Sequence, residues 1–403
     1  MTSFDPASLL ASRTHTADEG PIIRMAQRSR DLRARGIDVV SLTVGEPDFD
    51  TPRNIQAAAT AAMKAGFTHY SPVLGILELR TSLSKKLKTE NGLDYSANEI
   101  CVANGAKQAI ANALLAIIEA GDEVIMLAPF WVSYEITVSF CGGTPVVLSA
   151  GVDEDYKVPA RRIAEAITPK TKLLIVNSPS NPTGAVWSKP ELEAIAELVQ
   201  AHPRMMVLSD EIYEYIMFGG TMASIGALPG MKERTITING FSKGFAMTGW
   251  RLGYAAAVEP IAKAMGRMQG TISAGANQFV QRAAIEALEG PRGEVERMRQ
   301  KYQARRDMVL SGLRAIEGVK IGDIPATFYA FPDVSALLGK KAGNHMIDTT
   351  DRLCDWLLEE HGVAVVPGGA FGAPGSIRLS FAASEDEIEK ALNRIQKALN
   401  ALV

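Results

Sequence analysis

Lys243 lies in the run Ser242-Lys243-Gly244-Phe245-Ala246-Met247-Thr248-Gly249-Trp250-Arg251-Leu252-Gly253, just after the β-prone stretch Thr235-Ile236-Thr237-Ile238. A lysine amine is nucleophilic once neutral, and a partly buried site lowers its pKa. A hydroxyl precedes this lysine, and glycine and a second cation follow it. That grouping suits a lysine that forms an imine with a carbonyl compound while nearby groups hold a phosphate. Alone, Ser-Lys-Gly is more often a solvated turn.

Two further segments change the balance. Lys172-Leu173-Leu174-Ile175-Val176 has the apolar run of a buried strand, and Asn177-Ser178-Pro179-Ser180-Asn181-Pro182-Thr183-Gly184 ends it sharply. Asn181 precedes a proline, so its backbone is biased toward extended geometry at the strand's C-terminal end. In Met205-Met206-Val207-Leu208-Ser209-Asp210-Glu211-Ile212-Tyr213, an acidic residue ends a second buried-strand pattern and a tyrosine follows three positions on. Open α/β sheets bind ligands beyond the carboxyl ends of their strands. Asn181, Asp210, Tyr213 and Lys243 all fall at such ends. Singly they read as a turn asparagine, a helix cap, a packing tyrosine and a surface lysine; in this order they read as one site.

These segments resemble the class I/II pyridoxal-phosphate-dependent aminotransferases, nearest the bacterial aspartate or prephenate branch. The likeness spans nearly the whole chain. It includes Gly45-Glu46-Pro47-Asp48-Phe49-Asp50-Thr51-Pro52, Tyr70-Ser71-Pro72, Asn104-Gly105-Ala106-Lys107-Gln108, Pro129-Phe130-Trp131-Val132-Ser133-Tyr134 and Arg378. The resemblance implies pyridoxal 5'-phosphate as cofactor, an electron sink that the protein orients and tunes. It gives Lys243 the internal aldimine and, once its amine is freed, the proton shuttle. By the same likeness Asp210 pairs with the pyridine nitrogen, Asn181 and Tyr213 hydrogen-bond the ring's 3-oxygen, and Trp131 stacks on the ring and borders the substrate.

The phosphate is then expected where Gly105-Ala106-Lys107-Gln108 leads into the helix-forming run from Ala109 to Ile118. A helix N-terminus offers free N–H donors and a partial positive charge. Ser242 and Arg251 add a hydroxyl and a cation. Tyr70 resembles a tyrosine that reaches the phosphate of a neighbouring subunit, which implies a homodimer with shared active sites. Arg378, in Ser376-Ile377-Arg378-Leu379-Ser380-Phe381, takes the place of the fork that grips the substrate α-carboxylate, with Gly45 and Asn181 beside it. Lys107 stands where the branch can place a cation for a distal carboxylate.

Two stretches depart from the family pattern. His15-Thr16-Ala17-Asp18-Glu19-Gly20-Pro21-Ile22-Ile23 replaces a commoner Lys-Pro-Ser version, so aspartate as preferred donor is open. Pro325-Ala326-Thr327-Phe328-Tyr329 has Ala-Thr where Gly-Ala is usual. The implied activity is transfer of an amino group from an L-amino acid such as aspartate to a 2-oxo acid such as 2-oxoglutarate. A lyase on the same fold, eliminating at the β- or γ-carbon, would keep Lys243, Asp210 and Arg378. A non-catalytic regulator would carry an added DNA-reading domain, for which this chain has no spare length or basic segment.

Composition accords with this reading. At 403 residues the chain is long enough for two domains with a large core. A net charge of −3 gives no basic patch for nucleic acid, and no apolar run reaches membrane-spanning length. The start lacks a secretory signal pattern, and Cys101, Cys141 and Cys354 are scattered, so a reducing cytoplasm is expected. The five histidines show no metal-ligand spacing, so no metal is expected.

Candidate strands at Glu123–Leu127, Pro145–Leu148, Leu173–Val176, Met206–Ser209, Ile236–Ile238 and Leu252–Ala256 alternate with helical stretches such as Lys189–Ala201. That order predicts an α/β fold with a mostly parallel, doubly wound sheet, which the resemblance identifies with fold-type I pyridoxal-phosphate enzymes. Residues 46–290 are expected to form the large cofactor-binding domain. The first 45 residues join 291–403 in a smaller α+β domain, with long helices at Glu294–Ala315 and Glu385–Leu402. Short strands are expected around Phe328–Phe331 and Val363–Val366, and Gly368-Gly369-Ala370-Phe371-Gly372 reads as a glycine-rich turn.

Overall fold

A computed structural model describes residues 5–11, 14, 20–343 and 345–403. The first elements are helix α1 (Gly20–Ala34) and the short strand β1 (Val40–Ser41). Helices α2 (Arg53–Lys64) and α3 (Leu77–Asn91) lead into strand β2 (Ile100–Ala103) and helix α4 (Ala106–Ile117). Then come β3 (Glu123–Ala128), α5 (Ser133–Phe140), β4 (Thr144–Ser149), α6 (Ala160–Ala166), β5 (Thr171–Asn177), α7 (Lys189–Ala201) and β6 (Met206–Asp210). Strands β7 (Thr235–Gly240) and β8 (Gly253–Ala256) follow, and then helices α8 (Glu259–Ile272), α9 (Gln278–Glu289) and α10 (Gly293–Arg314).

Seven of these strands form one sheet in the order β2-β8-β7-β6-β5-β3-β4. Strands β4, β3, β5, β6 and β7 run parallel. Their crossovers place helices on both faces, so the inner strands are buried on both sides; β7 has no exposed residue. Strand β8 runs antiparallel to β7 and to β2. The turn 241–252 that joins β7 to β8 holds no crossover helix, so the chain must return alongside in the opposite sense. That turn carries Lys243 and Arg251 at the carboxyl edge of the sheet.

The expected strands and helices occur, mostly one or two residues longer or shorter than their sequence signals. Helix α7 keeps its expected bounds because its start is doubly marked: Ser188 and Glu191 form a capping box, and Pro190 sits in the first turn. Strand β2 is an addition, absent from the expected set. The glycine-rich turn at 368–372 contains a single 3-10 turn over Gly368–Phe371, ended by Gly372 in the left-handed region.

The chain continues through β9 (Tyr329–Ala330), the hairpin β10 (Lys340–Ala342) and β11 (His345–Ile347), α11 (Thr350–His361), β12 (Val363–Ala364), β13 (Val366–Pro367), β14 (Ile377–Ser380) and α12 (Glu385–Asn400). Strands β13, β14 and β9 form an antiparallel sheet. Strand β1 pairs in parallel with β12. Leu42, just past β1, donates to the Ala364 carbonyl and accepts from the Ser380 amide, both at 2.8 Å. The segment entering Gly45 is thereby tied to the C-terminal strands. Among the described residues, no helix is long and apolar enough to cross a membrane.

One close approach fixes the sheet against α4. A Cβ added at Gly253 would lie 2.4 Å from the Ala106 backbone nitrogen. Backbone cannot rotate away as a side chain can, so only glycine lets β8 lie this near the start of α4. Gly253→Ala is expected to cost about 1–3 kcal/mol of stability; chemical denaturation of the cofactor-free protein checks this, and an unchanged midpoint would contradict the contact.

Candidate active site

The carboxyl ends of β5, β6 and β7 and the turn after β2 open into a cleft of about 390 Å³. Its lining includes Gly45, Ala106, Lys107, Trp131, Asn181, Asp210, Tyr213, Ser242, Lys243, Arg251 and Arg378. Gly105 adjoins it as the N-cap of α4, with φ +86°. The residues singled out from the sequence therefore converge, with one exception. Tyr70 is 92% exposed and lies in a separate groove with Ser71, Ser273 and Asn277.

Asp210 ends β6 and is buried. Burial pushes its carboxyl up to about 6, against the pull of the Tyr134 hydroxyl, the Ile212 amide and the Lys243 amine. Tyr134 donates to one carboxylate oxygen at 2.6 Å, and the Ile212 N–H reaches the other at 3.3 Å. Lys243 keeps part of its side chain open to the cleft. Desolvation, and then the nearby Arg378 charge, lower its amine to about 8, with Glu46 opposing. That amine donates to the Gly45 carbonyl and lies 5.9 Å from the ring centres of both Tyr213 and Phe328.

Arg378, on β14, is almost fully buried. Its guanidinium donates to the Thr43 carbonyl at 2.7 Å and to Asn181 Oδ1 at 3.2 Å, and lies over the Tyr329 ring at 4.6 Å. Its Nε has no protein partner among the described residues. At 1% exposure this arginine is not a surface residue of its strand. The Tyr213 and Tyr329 hydroxyls are 2.9 Å apart.

At the other end of the cleft, the α4 N-terminus, the Ser242 hydroxyl and the Arg251 guanidinium surround a small cradle. A Cβ at Gly105 would lie 2.6 Å from Arg251 Nη2, so a side chain there would displace the guanidinium, and the φ of +86° favours glycine as well. A phosphate suits this donor set. Lys107 is exposed at the rim, its ammonium 5.1 Å from the Trp131 ring centre; desolvation and then Arg251 lower its pKa.

Several lining residues were given no role from sequence, among them Tyr134, Tyr329 and Glu46. The signal for Tyr134 was its place three residues after Trp131, but its partner, Asp210, is remote in sequence. Tyr329 stands in the second divergent stretch, where Thr327 adopts φ +69°, an unusual conformation for a β-branched residue. From the first divergent stretch, Ile22 lines the cleft; residues 15–19 lie outside the described residues.

A family model described as aminotransferase class I and II matches residues 37–395. The chain is 42% identical to a probable aspartate/prephenate aminotransferase of Rhizobium leguminosarum bv. phaseoli, over 98% of this chain and 99% of that protein. It is similar to the crystal structure of the aspartate aminotransferase from Rhizobium meliloti, with a TM-score of 0.95 at 38% identity over 99% of this chain and 100% of that one. It is also similar to the Thermus thermophilus aspartate aminotransferase solved with maleate, with a TM-score of 0.91 at 41% identity over 96% of this chain and 99% of that one.

Behind Asp210, Glu211 is buried and accepts from Ser209 Oγ at 2.9 Å and Ser224 Oγ at 2.8 Å. Burial pushes its carboxyl up from 4.5 to about 8. An acid whose folded pKa is raised is bound to its proton more tightly in the native state. Stability is thus full below the unfolded pKa and falls as pH rises through the folded one. Glu211→Gln, which cannot ionise, should melt progressively higher than the parent as pH rises from about 5 to about 8. A pH-independent difference in thermal melts would show that Glu211 does not titrate there.

Proposed function

The chain belongs to the aminotransferase class I and II family, and from that membership we propose an enzyme acting on dicarboxylic amino acids and their 2-oxo acids. Like its relatives it is a pyridoxal-5'-phosphate-dependent aminotransferase, moving an amino group from an amino acid to a 2-oxo acid. The lyase reading is not favoured, because the relatives and structural neighbours reported above are aminotransferases. The observation that carries the dicarboxylic reading is the pair of cations at different depths of one cleft: Arg378, buried with a free Nε, and Lys107 at the rim. The Thermus neighbour's binding of maleate, a dicarboxylate, supports it.

The chemistry supplied by bound pyridoxal 5'-phosphate is that of an electron sink conjugated to an aldehyde. The cradle at Gly105, Ala106, Ser242 and Arg251 would hold its phosphate, and Trp131 would face its ring. Asp210 would sit opposite the ring nitrogen, where an ionised carboxylate favours the protonated, electron-accepting ring. Tyr134 and Ile212 keep that carboxylate oriented and lower its pKa against the effect of burial. Tyr213 and Asn181 would donate to the ring oxygen. Arg378 orients the substrate through its α-carboxylate, with Gly45 allowing close approach. Lys243, with an amine near 8, is poised both to bind the carbonyl carbon and, when free, to move a proton at the substrate α-carbon.

The exposed Tyr70 groove supports a homodimer in which this tyrosine completes the partner's site. We further propose the division into a large domain, 46–290, and a small one, 1–45 with 291–403; the pairing of β1 with β12 supports it. The composition supports a cytoplasmic location.

Titration of the cofactor-loaded protein with aspartate, glutamate and an aromatic amino acid should bleach the visible cofactor band, and 2-oxoglutarate should restore it. A band that no dicarboxylic donor discharges would overturn the substrate proposal. Lys243→Ala should abolish turnover with the fold intact by circular dichroism. Arg378→Ala should raise KM for donor and acceptor alike by roughly 30- to 5000-fold, the range for removing one partner of a buried charge pair; an unchanged KM would remove it from carboxylate binding.

A further inference from the structure

The segment from Thr43 to Thr51 joins β1 to α2 and meets the cleft at three points. The Thr43 carbonyl accepts from Arg378, the Gly45 carbonyl accepts from the Lys243 amine, and Glu46 accepts from the Thr248 hydroxyl at 3.1 Å. Two of these acceptors are backbone carbonyls, so their positions depend on whatever holds the segment. Part of that support lies outside the cleft. Asp48 accepts from Arg305 Nη1 at 2.8 Å, and the Arg305 side chain, on α10, is 7% exposed. Its guanidinium lies 5.0 Å from the Phe49 ring centre and 5.7 Å from that of Tyr302. Phe49 in turn packs edge-on against Tyr302 at 5.3 Å.

The segment has little room to adjust. A Cβ at Gly45 would meet the Tyr329 hydroxyl at 2.3 Å. At its far end the Thr51 hydroxyl donates to the Ala246 carbonyl at 2.6 Å, three residues past the lysine. Neither Asp48 nor Arg305 is among the residues lining the cleft.

We propose that Asp48 and Arg305 are a positioning pair, holding the segment so that the Gly45 carbonyl stays against the Lys243 amine whenever that amine is free. The proposal rests on reading Lys243 as the carbonyl-binding lysine. A carbonyl oxygen facing an ammonium favours its charged form. Of the charged groups around this amine, Arg378 and Arg251 favour the neutral form, while Glu46 and Asp210 favour the charged one. Loosening the segment withdraws the Gly45 carbonyl and Glu46 together, so the amine should lose its proton more readily. The pair therefore controls how much of the free lysine is nucleophilic near neutral pH, without touching substrate or cofactor.

The test is competitive acetylation of the full-length, cofactor-free protein across pH, with modification of Lys243 read by mass spectrometry. In Asp48→Asn the labelling of Lys243 at about pH 7 should rise about three- to fivefold, a fall of half to one unit in its midpoint. The plateau at high pH should be unchanged, whereas a merely more open cleft would raise the plateau. Arg305→Lys, which keeps a cation opposite Asp48, should stay within about twofold of the parent. The double variant Asp48→Asn/Arg305→Met leaves no unpaired buried cation and should match Asp48→Asn alone. It also carries the test if the single variant folds poorly. Parent-like labelling in the double variant, or a raised plateau with an unmoved midpoint, would overturn the proposal. Failure of the underlying reading is separately visible: Lys243→Ala would then still form the cofactor's visible imine band.

Discussion

The floor of the cleft is organised by one constraint: an amine, a guanidinium and a carboxylate are held together where water is scarce. Arg378 is 1% exposed and Asp210 3% exposed. Two neighbouring cations raise each other's free energy, and the guanidinium cannot release its proton at any ordinary pH. The amine adjusts instead: desolvation first, and then the Arg378 charge, lower Lys243 to about 8. Asp210 is subject to the opposing demand, raised by burial and drawn back by Tyr134, Ile212 and Lys243. Groups so costly to desolvate must be held rigidly. The doubly covered parallel sheet presents Asp210 and Lys243 at adjacent strand ends, and β14 of the smaller sheet brings Arg378 to them.

The turn 241–252 shows how topology and chemistry are linked. It reverses the chain between β7 and β8, and so places Ser242, Lys243 and Arg251 on one side of the sheet edge. The reversal brings Gly253 onto the backbone of Ala106 and sets Arg251 against Gly105. The cradle at Gly105 and the placement of the lysine are consequences of the same short connection.

What could be read from the sequence was what short-range pattern encodes. Asp210 and Lys243 follow apolar runs that end abruptly, and α4 begins at a glycine followed by strong helix formers. Helix α7 announces its start through Ser188, Pro190 and Glu191. Three features were hidden for physical reasons. Tyr134 and Tyr329 act through partners far away in sequence, so their neighbours in the chain do not reveal what they touch. Strand β2 is four apolar residues long, too short for its period to separate strand from helix. The alternation of Arg378 with apolar neighbours gives no sign of its burial, yet β14 is buried throughout.

The pairing of β1 with β12 has a consequence in time. Every strand of the seven-stranded sheet, and with them Asp210, Lys243 and the groups around Gly105, has been synthesised once residue 256 is made. Arg378 and the strand that receives β1 come more than a hundred residues later. Domains fold as units from the N-terminal side during synthesis. A nascent chain thus holds Asp210, Lys243 and the groups around Gly105 while Val40 and Thr43 still await their partners. On the roles proposed above, the order of translation makes the groups that would hold a cofactor before the arginine that would orient a substrate.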